Sequence, residues 1–253
     1  MSDMAHPYTK FAAAYDQMME NVDYDRWADY IDRLFSFYNH HPKRVLDIAC
    51  GTGSATIKLA EKGYQMSGTD RALEMLIWAR EKAEKNKLHL TLWQQDMRYL
   101  SIKKPYYDAA LCLYDSINYI TTEEEMLEFF HRVNEALRPK GMFIFDVTTE
   151  HNIVKHFHRQ TFAESYDDFS YIWRNLYFHQ EKVCKTILTF FLKEDDHYGK
   201  YEELHIQKIY SIKQMKKMLD DSGFKLLSSF DAFTFNRWGR TSERINLTAV
   251  KND

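Results

Sequence analysis

Proline and glycine are scarce in this chain: four and eight among 253 residues. That excludes long Gly/Pro-rich linkers and low-complexity spacers. Cysteine is scarcer still. Cys50, Cys112 and Cys184 are scattered and odd in number, which gives no disulfide framework and points to a reducing cytoplasm. Positive charge is not in excess. With a formal net charge of -3 the chain lacks the basic footprint of a nucleic-acid binder. No apolar run approaches the length of a membrane helix, and residues 1–10 are polar, without the apolar core of a secretory signal. Hydrophobic residues, by contrast, make up 45% and aromatic residues 15%, with 17 Tyr and 17 Phe. That is enough to bury the core of one large domain, or of a domain carrying a substantial insertion.

The most informative stretch is Val45-Leu46-Asp47-Ile48-Ala49-Cys50-Gly51-Thr52-Gly53. An apolar strand pattern runs into two glycines, and a helical pattern with Ile57, Leu59 and Ala60 follows at once. Glycine has no Cβ, so a ligand can touch bare backbone at such a turn. Asp47 is an acid inside an apolar strand, a costly place for a carboxylate without a partner. Such an acid suits a cationic ligand group, for instance an amino acid ammonium, better than a pyrophosphate. Thr56 also stands where a dinucleotide fingerprint wants Gly or Ala.

Apolar spacing predicts helices over residues 8–38, where Tyr8, Phe11, Ala12 and Tyr15 recur at helical intervals, as do Trp27, Tyr30, Ile31, Leu34, Phe35 and Tyr38. From Lys43 the pattern alternates. Strands are predicted at 43–49, 64–69, 88–94, 107–113 and 141–147, and helices at 53–62, 72–85, 122–138 and 149–157. Thr121-Thr122 before Glu124-Glu125 is good start chemistry, and Arg138-Pro139-Lys140-Gly141 is a stop. This alternation implies a parallel sheet covered on both faces. It breaks at 160–211. There three strand-like runs, Ser170–Phe178, Val183–Lys193 and Tyr201–Ser211, read as a small inserted antiparallel sheet. A helix at 211–222 and strands at 225–233 and 244–251, an antiparallel edge hairpin, close the chain.

Acids end each of the first four predicted strands: Asp47, Asp70, Asp96 and Asp115. Carboxyl ends of parallel strands are where open α/β sheets bind ligands. Asp70 can accept two hydrogen bonds from a ribose diol, or cap the following helix. Asp96 can receive an adenine amino group, or cap a turn. Asp115 can face a reaction centre, or be a solvated loop acid. His151, His156 and His158 match no zinc spacing, so no metal is expected. His205 lies inside an inserted strand and is a candidate general base. Tyr171, Trp173 and Tyr177 share one face of the first inserted strand, and Ile172, Leu176 and Phe178 the other, so both faces read as partly buried.

In this order the motifs resemble those of class I S-adenosylmethionine-dependent methyltransferases. VLDIACGTG resembles the first motif, GTDRALEML the second, QQDM the third and YYDAALCLYDSINYI the fourth, and LRPKGMFIFDV leads into the fifth strand. FAAAYDQMM and the insertion are similar to small bacterial sugar N-methyltransferases and glycine N-methyltransferase-like proteins. The resemblance implies a Rossmann-like, doubly wound, mostly parallel seven-stranded α/β sheet with an antiparallel edge hairpin and an inserted antiparallel lid. It implies an N-terminal helical cap over 1–40, a core over 41–159 and 212–253, and the lid over 160–211. S-adenosyl-L-methionine is the implied cofactor and S-adenosyl-L-homocysteine its product, with Tyr24, Asp47, Ala49, Cys50, Gly51, Gly53, Asp70, Arg71, Met75, Asp96, Met97, Leu113 and Tyr114 at the cofactor. Tyr15 is implied at a small-molecule acceptor and in catalysis, and the residue readings above add Asp115, Trp173 and Tyr177 at the acceptor and His205 in catalysis. The fourth strand ends in Tyr114-Asp115-Ser116-Ile117 rather than in Asn or Asp before Pro-Pro-Tyr, which argues against a nucleic acid base as acceptor. The expectation is a cytoplasmic monomer or homodimer with no nucleic-acid or membrane partner. Aminopropyl transfer and non-catalytic sensing of S-adenosylmethionine are the alternatives.

Overall fold

The computed structural model describes residues 12–253; Tyr8 and Phe11 of the expected first helix lie outside the described residues. In chain order the elements are α1 (Ala12–Met18), α2 (Tyr24–Phe37), β1 (Arg44–Ile48), α3 (Ser54–Glu61), β2 (Gln65–Asp70), α4 (Leu73–Lys85), β3 (Thr91–Gln94), β4 (Tyr107–Cys112), α5 (Glu123–Ala136) and β5 (Leu137–Thr148). Then come α6 (Glu150–Asn152), β6 (Thr161–Ser165), β7 (Phe169–Phe178), β8 (Val183–Glu194), β9 (His197–Lys208), α7 (Ile212–Asp221), β10 (Phe224–Asp231) and β11 (Arg244–Lys251).

Seven strands form one sheet in the order β10-β11-β5-β4-β1-β2-β3. β1 to β5 are parallel, and β11 runs antiparallel between β5 and β10. Strand order reverses between β1 and β4, and the crevice at their carboxyl ends is the ligand-binding position of such sheets. Helices cover both faces. α2 buries Trp27, Tyr30, Ile31, Leu34 and Phe35 against Val45, Leu111 and Ile144. α5 and α7 bury Met126, Phe130, Val133, Met215 and Leu219 against Leu46, Phe143 and Phe145. Starts are chemically specified: Asp23 accepts from the Arg26 N–H, Thr122 from the Glu125 N–H, and Ser211 and Gln214 form a capping box.

Two local expectations need correction. Helix α5 stops at Ala136, and β5 starts at Leu137, which pairs with Tyr107 of β4 before pairing resumes at Met142 with Ala109. Lys140 takes a left-handed φ of 62° there and the β4 register slips between Tyr107 and Ala109, which accommodates the proline. The helix expected at 149–157 is one short α-turn continued as a π-helical turn, Ile153–Phe157. The helices expected over 8–38 are present in the described part as α1 and α2, parted at residues 19–23.

The second sheet is antiparallel, in the order β6-β7-β8-β9: four strands where three were expected. β6 is an edge strand exposed along its whole length, so it carries no burial alternation to read. The faces of β7 are also unlike. Phe169, Tyr171, Asn175 and Tyr177 are buried, but Ile172 is 37% and Leu176 43% exposed. The aromatic face alone turns inward. The sheet is tied back to the β4 end by Asn118, whose Nδ2 donates to the Lys208 carbonyl at 2.7 Å.

Candidate active site

The turn after β1 needs left-handed backbone three times within five residues: Ala49 (φ 59°), Gly51 (57°) and Gly53 (74°). The two glycines do different things. A Cβ on Gly51 would meet no atom within 4 Å, because that side opens into a cavity. A Cβ on Gly53 would stand 3.0 Å from the Ala79 Cβ, so Gly53 lets α3 and α4 approach and does not line the cavity. Asp70 ties the turn down. Its Oδ2 accepts from the Gly51 N–H and its Oδ1 from the Ala72 N–H, both at 2.9 Å. Its helix-cap and ligand-facing readings are therefore compatible, since each oxygen keeps a second lone pair and Asp70 lines the cavity.

Asp47 is fully enclosed. Its Oδ2 accepts from the Thr56 hydroxyl at 2.5 Å. Burial pushes its carboxyl up to about 7, against that hydrogen bond and with some help from the Asp70 charge. Asp96 is already engaged: it accepts from the Arg98 N–H and from the Arg98 guanidinium, the shortest contact being 2.7 Å. Burial raises this carboxyl, but the Arg98 hydrogen bonds and charge outweigh it and hold the group below the usual range.

Beyond β4 the backbone is left-handed twice in succession, at Tyr114 (φ 61°) and Asp115 (φ 50°). Asp146, fully buried on β5, holds this kink by accepting the Tyr114 and Asp115 N–H groups at 2.7 and 2.8 Å. Arg244 on β11 pairs with both Asp115, at 2.6 Å, and Asp146. Burial alone would lower the Arg244 guanidinium; the two carboxylates reverse that and raise it. Gln207 on β9 donates to Asp115 at 2.6 Å. Asp146, Arg244 and Gln207 are absent from the sequence expectations. Asp146 had a readable signal, an acid inside the apolar run Phe143-Ile144-Phe145-Asp146-Val147, the same signal that marks Asp47. Arg244 and Gln207 had none.

One cavity of about 300 Å³ runs from the glycine turn to the inner face of the second sheet. The residues expected at the cofactor all line it except Gly53: Tyr24, Asp47, Ala49, Cys50, Gly51, Asp70, Arg71, Met75, Asp96, Met97, Leu113 and Tyr114. Tyr15, Asp115, Trp173 and His205 line it too. Tyr177 does not. It is 3% exposed and packs with Ile153, Cys184 and Ile209, its ring against His158 and His179. It shares the face of Trp173 but sits two rungs further along β7. His205 Nδ1 lies 2.9 Å from the Tyr119 hydroxyl and its Nε2 3.3 Å from buried Glu203. No cluster of three or more metal-ligating side chains occurs among the described residues.

These features fit S-adenosylmethionine. The open side of Gly51 admits a ligand against bare backbone, and a buried carboxyl raised to about 7 gains from a nearby cation. A methyltransferase-domain model matches residues 45–141, from β1 into β5. A protein of Bacillus subtilis (strain 168) named as a methyltransferase, YqeM, is 34% identical over 97% of this chain and 97% of its own length. The crystal structure of an S-adenosylmethionine-dependent methyltransferase from Clostridium acetobutylicum ATCC 824 superposes with a TM-score of 0.85, at 27% identity over 96% of this chain and 98% of that one. Glycine/sarcosine N-methyltransferase of Aphanothece halophytica is 33% identical over 42% of this chain and 41% of its own. With its sheet order, its glycine turn and a methyltransferase-named relative matching from end to end, the chain belongs to the S-adenosylmethionine-dependent methyltransferases.

Proposed function

We propose that this methyltransferase acts on a small-molecule acceptor through a nitrogen or oxygen atom. The observation that carries the reading is the single cavity that joins the glycine turn to the inner face of the second sheet. A concave chamber of this kind suits a small acceptor, and the chain has no basic surplus for a nucleic acid. S-adenosylmethionine supplies, when bound, an activated methyl group on a sulfonium. The chain's own residues have three tasks.

The first is to hold the cofactor. Gly51 offers bare backbone, Asp47 balances a cationic group, and Asp70 offers lone pairs to a ribose diol. Tyr24, Ala49, Cys50, Arg71, Met75, Asp96, Met97, Leu113 and Tyr114 complete the wall. Because Asp96 already serves Arg98, any adenine amino group there shares the carboxylate with the guanidinium. The second task is to place the acceptor. Asp115, fixed by Arg244 and Gln207, forms the floor; Trp173 forms the roof; Tyr15 closes the side. Orientation of this kind supplies much of the rate enhancement in a displacement reaction. The third task is proton handling. A neutral amine needs no base. A hydroxyl acceptor gives its proton to His205, which Tyr119 and Glu203 orient. In domain terms, residues 1–40 form a cap and 160–211 a lid on the core of 41–159 and 212–253, and closure excludes water.

The test is incubation with methyl-labelled S-adenosylmethionine and a low-molecular-mass cell extract. Label in the small-molecule fraction supports the reading. Micromolar binding of S-adenosylmethionine and S-adenosylhomocysteine without any transfer leaves a sensor instead.

A further inference from the structure

The inner face of the second sheet is mostly apolar or aromatic on β7 and β8, while β9 places Glu203, His205 and Gln207 there, and one rung is polar across all three strands. Asn175 on β7 pairs with Thr186 on β8, and Thr186 with His205 on β9. All three line the cavity. Trp173, Leu188 and Glu203 occupy the next rung on one side, Tyr177, Cys184 and Gln207 on the other.

The Asn175 amide has a fixed orientation. Its Oδ1 accepts from the Trp173 indole N–H at 2.7 Å and from the Thr186 hydroxyl at 2.6 Å. A flipped amide would set Nδ2 against the indole N–H, donor against donor, so Oδ1 stays where it is. That turns Nδ2 away from both partners. The residue is 5% exposed, and Nδ2 has no hydrogen-bond partner among the described residues. A buried donor without a partner costs free energy, and such a group on a cavity wall is a place for a ligand atom.

We propose that Asn175 is a specificity-determining residue of the acceptor site, donating from Nδ2 to an uncharged hydroxyl oxygen of the acceptor. The inference rests on the reading that the second sheet covers the acceptor. The hydroxyl follows from Thr186. Its proton is given to Asn175, so its Oγ1 is left as an acceptor beside the Nδ2 donor, and a hydroxyl both accepts and donates. The lack of charge follows from Arg244. This is the cation at the Asp115 end of the cavity among the described residues, and both its arms are held by Asp115 and Asp146. A carboxylate or phosphate would find no free countercharge there.

The test uses the full chain, methyl-labelled S-adenosylmethionine and a low-molecular-mass extract of Bacillus subtilis. Asn175→Asp keeps the oxygen that accepts from Trp173 and Thr186 and replaces only the donor. At pH 8 the extract concentration giving half-maximal transfer should rise about ten- to a hundredfold, the scale of an unmet buried hydrogen bond. S-adenosylhomocysteine affinity should stay at the wild-type level, while the melting temperature should fall at pH 8, where the new carboxylate is buried without a cation, and approach the wild-type value at pH 5.5. Relative to wild type at each pH, transfer should recover toward pH 5.5 as the new carboxyl takes up a proton and donates again. His205, Tyr119, Cys184, Asp115 and Arg244 line the same space, with Glu203 beside His205, and the wild-type reference carries their own titration. The labelled product should bear a hydroxyl apart from the methylated atom.

No label transferred by the wild type overturns the small-molecule reading and this inference with it. Transfer by wild type and Asn175→Asp alike overturns the inference alone. So does a product without such a hydroxyl, a loss accompanied by weaker S-adenosylhomocysteine binding, or a loss that persists at pH 5.5 together with a melting temperature below wild type, which marks Asn175 as structural.

Discussion

Single residues at the β1 turn separate ligand binding from folding. Gly51 and Gly53 share a left-handed backbone, yet only Gly51 opens on the cavity, while Gly53 faces Ala79. Gly51→Val should therefore abolish S-adenosylmethionine binding by calorimetry while the far-UV spectrum is kept. Gly53→Val should lower the melting temperature more, since both strain and the Ala79 contact act on the fold. Asp47 gives a pH prediction. Its ordinary value is 3.8, and burial pushes it to about 7 in the free protein. A raised carboxyl is stabilising when protonated, so the cost of charging it accumulates as pH rises from 3.8 to about 7. A cationic ligand group favours the charged form, so binding near pH 6 must release a proton. Affinity for S-adenosylmethionine should be flat above pH 8 and fall as pH drops below about 7, by up to tenfold per unit. Asp47→Asn should bind weakly and with a flat profile between pH 8 and 6. A wild-type affinity constant over that range would contradict the role.

Elements bring together what no single motif contains. β11 delivers Arg244 to Asp146 on β5 and to Asp115 after β4, so three strands meet at one buried ion cluster. Arg244→Met leaves Asp146 enclosed with no cation, and should cost about 3 kcal/mol of stability, read by urea unfolding. Two aromatics on the same face of β7 should behave differently. Trp173→Ala should raise the acceptor concentration needed for half-maximal transfer and leave donor affinity within about 1 kcal/mol. Tyr177→Ala, away from the cavity, should instead cost about 3 kcal/mol of stability. The contrast marks where sequence stops being legible. Alternating apolar strands and helical stripes dictate the βα order, and the edge hairpin follows from a connection without helical pattern. Glycines and acids at strand ends mark residues that line the cavity. Alternation on β7 places Trp173 and Tyr177 on one face, but only the packing of that face, over the β4 end at one point and over Ile153 at another, separates wall from core. β6 has no buried face and so no pattern. Gln207 and Arg244 are ordinary polar residues until the β-sheets bring them to Asp115.

For the molecule as a whole, α1 joins the two sheets on the side away from the Asn118 and Gln207 contacts to β9. Ala14, Tyr15 and Met18 pack with Phe169, Tyr171, Leu188 and Phe190 of the second sheet. On its other side Ala12 packs with Ala72 and Met75 beside the glycine turn. Asp16 locks this strap: it accepts from the Thr52 hydroxyl and from Lys82, whose ammonium also donates to Thr52 and Ser54 at 2.9 and 2.8 Å. Tyr15, Met18 and Met19 thus wall the same cavity as the first turn, and α1 borders the space a bound donor would occupy. Burial lowers the Lys82 ammonium even though Asp16 opposes the shift, so the lock is a partly desolvated pair rather than a surface one. Removing one partner should loosen the strap without touching the ligand-facing groups of β1 and β2. Lys82→Met keeps the length of the stem and loses the three hydrogen bonds. It should speed dissociation of S-adenosylmethionine and weaken its affinity by about 1–2 kcal/mol, the scale of a lost charge-assisted hydrogen bond in a half-buried site. Backbone amides of residues 12–18 should exchange faster with deuterium, while those of the seven-stranded sheet keep their rates. Unchanged dissociation together with faster exchange in α1 would show that the donor leaves by another route, and the closing role would then fall to the second sheet alone.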